Sequence, residues 1–91
     1  MTNNKILTLH PLGKNGKNID SDAYDLFKEA IINSLQNKEL THDELMNYLN
    51  NKLKDNFSKN IGWYGETVKL DLEARKIIGR TSTKPQKYKL I

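Results

Sequence analysis

Three stretches of this chain repeat apolar residues at helical spacing, and a fourth, near the C-terminal end, alternates with a period of two. Tyr24, Phe27, Ile31 and Leu35 recur every three or four residues, as do Leu45, Leu49, Leu53 and Phe57. Ile61, Val68 and Leu72 share one face of a third segment. Beyond it, "IIGRTS" and "QKYKLI" flank "TKP", in which Lys84 and Pro85 suit a turn. In "KYKLI", Lys87 and Lys89 alternate with Tyr88 and Leu90, so one face of the last strand is basic and the other can pack. A helix buries a stripe and a strand buries one side, so this order predicts an α+β domain of three helices followed by a β-hairpin. Ninety-one residues suffice for one modest core and leave no room for a second domain.

Local signals place the helix ends. "DSDAYD" offers Asp and Ser to the free amides of a first helix running from about Asp22 to Gln36. "LTHDEL" is the clearest signal in the chain: Thr41 and Glu44 fit a capping box, and Leu40 and Leu45 stand where a hydrophobic staple closes. "SKNIG" separates this second helix from the third. At the other end, residues 5–9, "KILTL", fit a short strand, and "HPLGKNGKN" has the Pro, Gly and Asn content of a loop. The expected organisation is a strand and loop over 1–20 and the three helices and hairpin over 21–91, within a single domain.

Two motifs invite a ligand and fail on spacing. "GKNGK" lacks the four residues between glycines and the hydroxyl after lysine that a phosphate-binding loop needs, since Lys17 precedes Asn18; it reads as a turn. Counted from Asp20, a calcium loop would need an acid, Gly and Glu at its fifth, sixth and twelfth positions, where the chain has Tyr24, Asp25 and Ile31. Asp20, Asp22 and Asp25 therefore read as a helix start. With no cysteine, two histidines (His10 and His42) that fit surface positions, and no paired acids in a recognisable setting, neither a catalytic residue nor a metal site is indicated, and no cofactor is expected. The absence of cysteine favours a cytoplasmic location. Ile6, Leu7 and Leu9 are too few apolar residues before Pro11 for a signal-peptide core or a membrane span, so no membrane partner is expected.

Charge is unevenly placed. Residues 1–65 carry eight lysines against eight acids, whereas residues 66–91 carry seven Lys or Arg against Glu66, Asp71 and Glu73, so the whole net charge of +4 lies in the last third. Such a local excess is what a polyanion-binding surface needs, and a solvated basic tail gives the same count.

Three helices followed by a two-stranded ribbon is the order of a winged helix-turn-helix, with the third helix as recognition helix and the ribbon as wing. "LEARKIIGR" resembles the "LEARGLVER" type of ending found where the recognition helix of bacterial winged-helix regulators meets the wing, with Lys76 where that pattern has Gly. A left-handed residue closes a helix there, so either Lys76 accepts a cost of about 1 kcal/mol or the helix continues to Gly79. From about Gly13 onward the chain also resembles a family of small bacterial proteins of unknown function. The matching residues are Gly13-Lys14, Tyr24, Leu40-Thr41, Gly62-Trp63, Thr67-Val68, Leu70-Asp71-Leu72-Glu73-Ala74 and Thr83-Lys84-Pro85. Tyr64 stands where a second Trp is more usual, and Lys87-Tyr88 near where Arg-Trp is. The resemblance supports the winged-helix fold and brings no activity with it.

On a helical wheel with Val68 inward, Glu66, Lys69, Glu73 and Lys76 fall on one polar wedge, spaced three or four apart and alternating in sign. They can pair among themselves, and the two acids would meet phosphates unfavourably, which argues against deep insertion of this face into a groove. The leading expectation is a winged-helix DNA-binding protein, of the kind that serves as a transcriptional regulator, that grips double-stranded DNA mainly through phosphate contacts. Its basic set is Arg75, Arg80, Lys84, Lys87 and Lys89, with Trp63, Thr67 and Lys69 near the groove. The bland counterpart is an edge strand protected from aggregation by its lysines. The alternative is a protein-interaction or dimerisation module without nucleic acid, centred on a second apolar stripe of Trp63, Leu70, Ala74 and Ile77. That stripe could equally pack beneath the wing or the N-terminal strand.

Overall fold

The computed structural model describes residues 4–14 and 16–91. Residues 1–3, and Asn15 within the GKNGK turn, lie outside the described residues. The chain runs through β1 (Lys5–Leu7), β2 (Asn18–Asp20), α1 (Ser21–Ser34), β3 (Leu40–Thr41), α2 (His42–Leu53), α3 (Ile61–Ala74), β4 (Ile78–Arg80) and β5 (Lys87–Leu90). The expected three helices and terminal hairpin are present, and so is the N-terminal strand. Two short strands were not foreseen.

The first is β2, which pairs antiparallel with β1 so that Ile6 faces Ile19. Ile19 sits alone in a polar stretch, where no period can flag a strand, yet it is 2% exposed and belongs to the core. The second is β3, two residues long, which pairs with β5 through Leu40–Tyr88 and Thr41–Lys87. With the β4–β5 hairpin, whose register sets Ile78, Gly79 and Arg80 against Leu90, Lys89 and Tyr88, it completes an antiparallel sheet in the order β3-β5-β4. The last strand is thus the middle strand of its sheet. Its lysines do not guard an edge, which removes the edge-protection reading of Lys87 and Lys89.

Each helix buries the stripe its sequence announces. Tyr24, Phe27 and Ile31 of α1, Leu45, Leu49 and Leu53 of α2, and Val68 and Leu72 of α3 are all buried, and Leu35, Ile78 and Tyr88 close the core from the ends. Phe57 lies past the end of α2 and still serves the core: its ring meets Phe27 and Tyr64 edge-on at 4.9 Å. Gly65 lets α2 and α3 approach closely, since a Cβ there would lie 2.9 Å from Leu49 Cδ1 and 3.3 Å from Met46 Sδ.

The helix ends follow the local chemistry with one exception. At α2 the Glu44 amide donates to Thr41 Oγ1 at 3.2 Å and the Thr41 amide to Glu44 Oε1 at 2.9 Å, a complete capping box. Asn60 caps α3 by accepting from the Trp63 amide at 2.8 Å. Asp20 at the head of α1 makes no side-chain cap bond. Its carboxylate turns to Lys5, 2.6 Å away, and to Lys59, at 3.7 Å, because the β1–β2 pairing sets Lys5 directly opposite it. α3 ends at Ala74 with Lys76 at φ 62°; the amides of Lys76 and Ile77 donate to the carbonyls of Glu73 and Leu72. That is a Schellman closure with lysine in the left-handed position, so the helix stops rather than continuing to Gly79.

Candidate nucleic-acid interface

Lys69, Asp71 and Glu73 lie on α3, and the structure gives each an internal task. Asp71 is fully buried and accepts three hydrogen bonds, from the Leu9 amide at 2.8 Å, the Tyr24 hydroxyl and Arg75 Nε at 2.9 Å. It thereby fastens the N-terminal segment, α1 and the end of α3 to one another. Burial, then the bond to Asp71, push the Tyr24 phenol up to about 12, and the same carboxylate raises the basicity of Arg75. Arg75, itself exposed, therefore spends its Nε on Asp71.

The expectation that Lys69 is exposed near the groove is corrected. It is 2% exposed, lies over the Tyr88 ring with Nζ 4.4 Å from the centroid, and its three donors are taken by Glu66 Oε1 at 2.6 Å, Tyr88 Oη at 3.0 Å and His42 Nδ1 at 3.1 Å. The sheet packs against this side of α3, so the ammonium that reads as part of a surface ladder becomes a buried clamp between α2, α3 and β5. Glu73, expected to pair along the helix, instead takes both Arg80 Nε at 2.7 Å and an Arg80 terminal nitrogen at 3.1 Å. This bidentate bond raises the basicity of Arg80, whose guanidinium also lies over the Tyr88 ring.

The hairpin consequently does not gather its basic set in one place. Arg80 sits opposite Tyr88 in the register and shares its side of the sheet, towards α3. Lys87 and Lys89 alternate with Tyr88 and so occupy the other side, beside Thr41 and Gly79. Lys84 is exposed in the β4–β5 turn, before Pro85. No ion pair engages Lys84, Lys87 or Lys89 among the described residues. Lys87 and Lys89 line an open cleft of about 710 Å³ at the end of α1 together with Lys38, Glu39, Leu35 and Leu90. The Glu44 carboxyl is held below its usual range, chiefly by the Thr41 amide, with Lys87 and Lys38 adding to the effect. Sequence reasoning missed Lys38, since only the pairing of β3 with β5 brings the α1–β3 turn beside the last strand.

The second stripe of α3 has a cover in part. Leu70, Ala74 and Ile77 are half-buried, and Trp63 is 43% exposed, resting edge-on against Tyr64 at 4.9 Å. Thr67 is half-buried. The segment after β1 lies along this side: His10, Pro11 and Leu12 share a groove with Leu70 and Glu66, and Leu7, Thr8 and Leu9 share another with Ala74. The Ile91 amide donates to the Ile77 carbonyl at 3.1 Å, fixing the chain end beside it. Leu7, Leu9 and Leu12 nonetheless stay exposed, so this side keeps an apolar character.

Among the described residues no three His, Asp or Glu side chains are placed to hold a metal, and no helix is long and apolar enough to cross a membrane. The chain belongs to a family of unknown function (DUF6958), which matches residues 5–88. Comparison with curated proteins and with solved structures returned no match.

Proposed function

We propose that this chain is a winged-helix domain that binds double-stranded DNA through phosphate contacts from its hairpin, with α3 acting as scaffold rather than as an inserted reading helix. The fold reading is supported by the short strand between α1 and α2 joining the hairpin after α3 in the order β3-β5-β4, as a wing built on three helices requires. The observation that carries the functional reading is the division of cations. Lys69, Arg75 and Arg80 are consumed by Glu66, Asp71 and Glu73, while Lys84, Lys87 and Lys89 keep their charge for solvent or a partner. Phosphate binding by free lysines needs little geometric precision and is sequence-independent. Any role in transcriptional regulation requires base discrimination in addition, for which Trp63 and Thr67 at the start of α3 are the available side chains.

Anisotropy of a labelled generic duplex, titrated at low and near-physiological salt, tests this. Binding that falls steeply with salt is expected, and replacing Lys84, Lys87 and Lys89 together with Ala weakens it on any sequence. Absence of binding at low salt overturns the reading.

A second reading, a protein-interaction or dimerisation module, draws on the exposed Trp63, Leu9 and Leu12 beside α3. It predicts a dimer in sedimentation that Trp63→Ala dissociates. A monomer at high concentration counts against it.

A further inference from the structure

Resting on the DNA reading, we infer that the duplex backbone is held across the outer side of the β3-β5-β4 sheet by Lys87 and Lys89 together with Lys38 of the α1–β3 turn, and not along the outward side of α3.

Two observations converge on this surface. The strand register puts Lys87 and Lys89 on the side of β5 turned away from Tyr88 and from the buried Lys69 clamp, so they cannot reach the surface of α3. The open cleft at the end of α1 brings Lys38 to the same two lysines. The acids nearby are Glu39 in the cleft and Glu44 in its capping box. Three ammonium groups on flexible stems around an open, solvent-facing cleft suit a chain of phosphates, which asks for charge at intervals rather than for a closed pocket.

The outward side of α3 offers the opposite. Glu66 and Glu73 are there already taken up by Lys69 and Arg80, Leu70 is apolar, and the N-terminal segment lies over it. Of the two Lys or Arg side chains lining that groove, Arg80 is held by Glu73 and Lys14 is exposed. Lys14 and Lys38 therefore report on two different docking sides.

The test compares Lys38→Ala with Lys14→Ala in duplex titrations over a range of salt. Both residues are exposed and outside the core, so both variants keep the fold. Lys38→Ala is expected to weaken binding roughly three- to tenfold and to lower the log–log salt slope by about 0.9, the value of one lost phosphate contact, while Lys14→Ala leaves both unchanged. Unchanged binding by Lys38→Ala, or a larger loss from Lys14→Ala, overturns the placement while the hairpin's role stands or falls on Lys84, Lys87 and Lys89. A wild-type chain that binds no duplex at low salt overturns the placement and the DNA reading together.

Discussion

Lys69, Arg75 and Arg80 each end against a carboxylate carried by α3, at 2.6, 2.9 and 2.7 Å, whereas Lys84, Lys87 and Lys89 of the hairpin meet no such partner among the described residues. Each set holds three cations, one Lys and two Arg in the first and three Lys in the second. The difference lies in what faces them. α3 is covered by the sheet on one side and by the N-terminal segment on the other, so charge placed on it must be compensated where it stands. The outer side of β5 borders the open cleft at the end of α1, where Lys89 is exposed and Lys87 half-buried, and among the described residues neither is in an ion pair. Charge near a helix is therefore a poor guide to binding until its cover is known.

The comparison can be broken most forcefully at Asp71. Asp71→Ala removes a buried carboxylate from the Leu9 amide, the Tyr24 hydroxyl and Arg75, and is expected to lower stability by about 3 kcal/mol in chemical denaturation. A loss below about 1 kcal/mol would mean that these bonds are readily replaced by water.

A milder probe of the same site is alkaline titration. The Tyr24 phenol is raised from an ordinary 10 to about 12, so its neutral form is favoured by folding. Stability is therefore unaffected by this group below pH 10 and falls, by on the order of 1 to 2 kcal/mol, as pH rises towards about 12. In Tyr24→Phe this part of the fall in stability should vanish. An identical alkaline profile would show that the phenol does not contribute.

The smallest effect belongs to the second helix. Thr41→Ala removes the cap of α2 but, opposite Lys87 in the β3–β5 register, leaves every lysine's charge in place, so it should cost about 1 kcal/mol with the salt slope of duplex binding unchanged. A thermal melt beside a titration checks both halves.

How much of this was legible depended on distance along the chain. The capping box at Thr41 and Glu44 involves residues three apart, and the helical stripes repeat within a few turns, so both could be read directly. The ambiguity at Lys76 was also local, and φ 62° resolves it in favour of a left-handed lysine. Lys69 was misplaced because its burial depends on Tyr88, 19 positions away, whose ring and hydroxyl it clasps. β3 was invisible because two residues carry no period, and with it went the position of Lys38. Asp71 enters the sequence reading only as one acid in the charge count and one residue of a matching motif, since nothing near it announces that the Leu9 amide and Tyr24 converge on it.

The account's central claim is that cations paired with the carboxylates of α3 serve the fold and the lysines of the hairpin turn and β5 serve a partner. Its most direct test is the salt dependence of duplex binding measured side by side for Lys69→Met and for the Lys84, Lys87 and Lys89 triple alanine variant, each with its unfolding free energy. The account predicts that Lys69→Met loses about 1 to 3 kcal/mol of stability and keeps the wild-type salt slope, while the triple variant keeps its stability and loses up to about 2.7 from the slope. A reduced slope for Lys69→Met, with the triple variant binding like wild type, would contradict it.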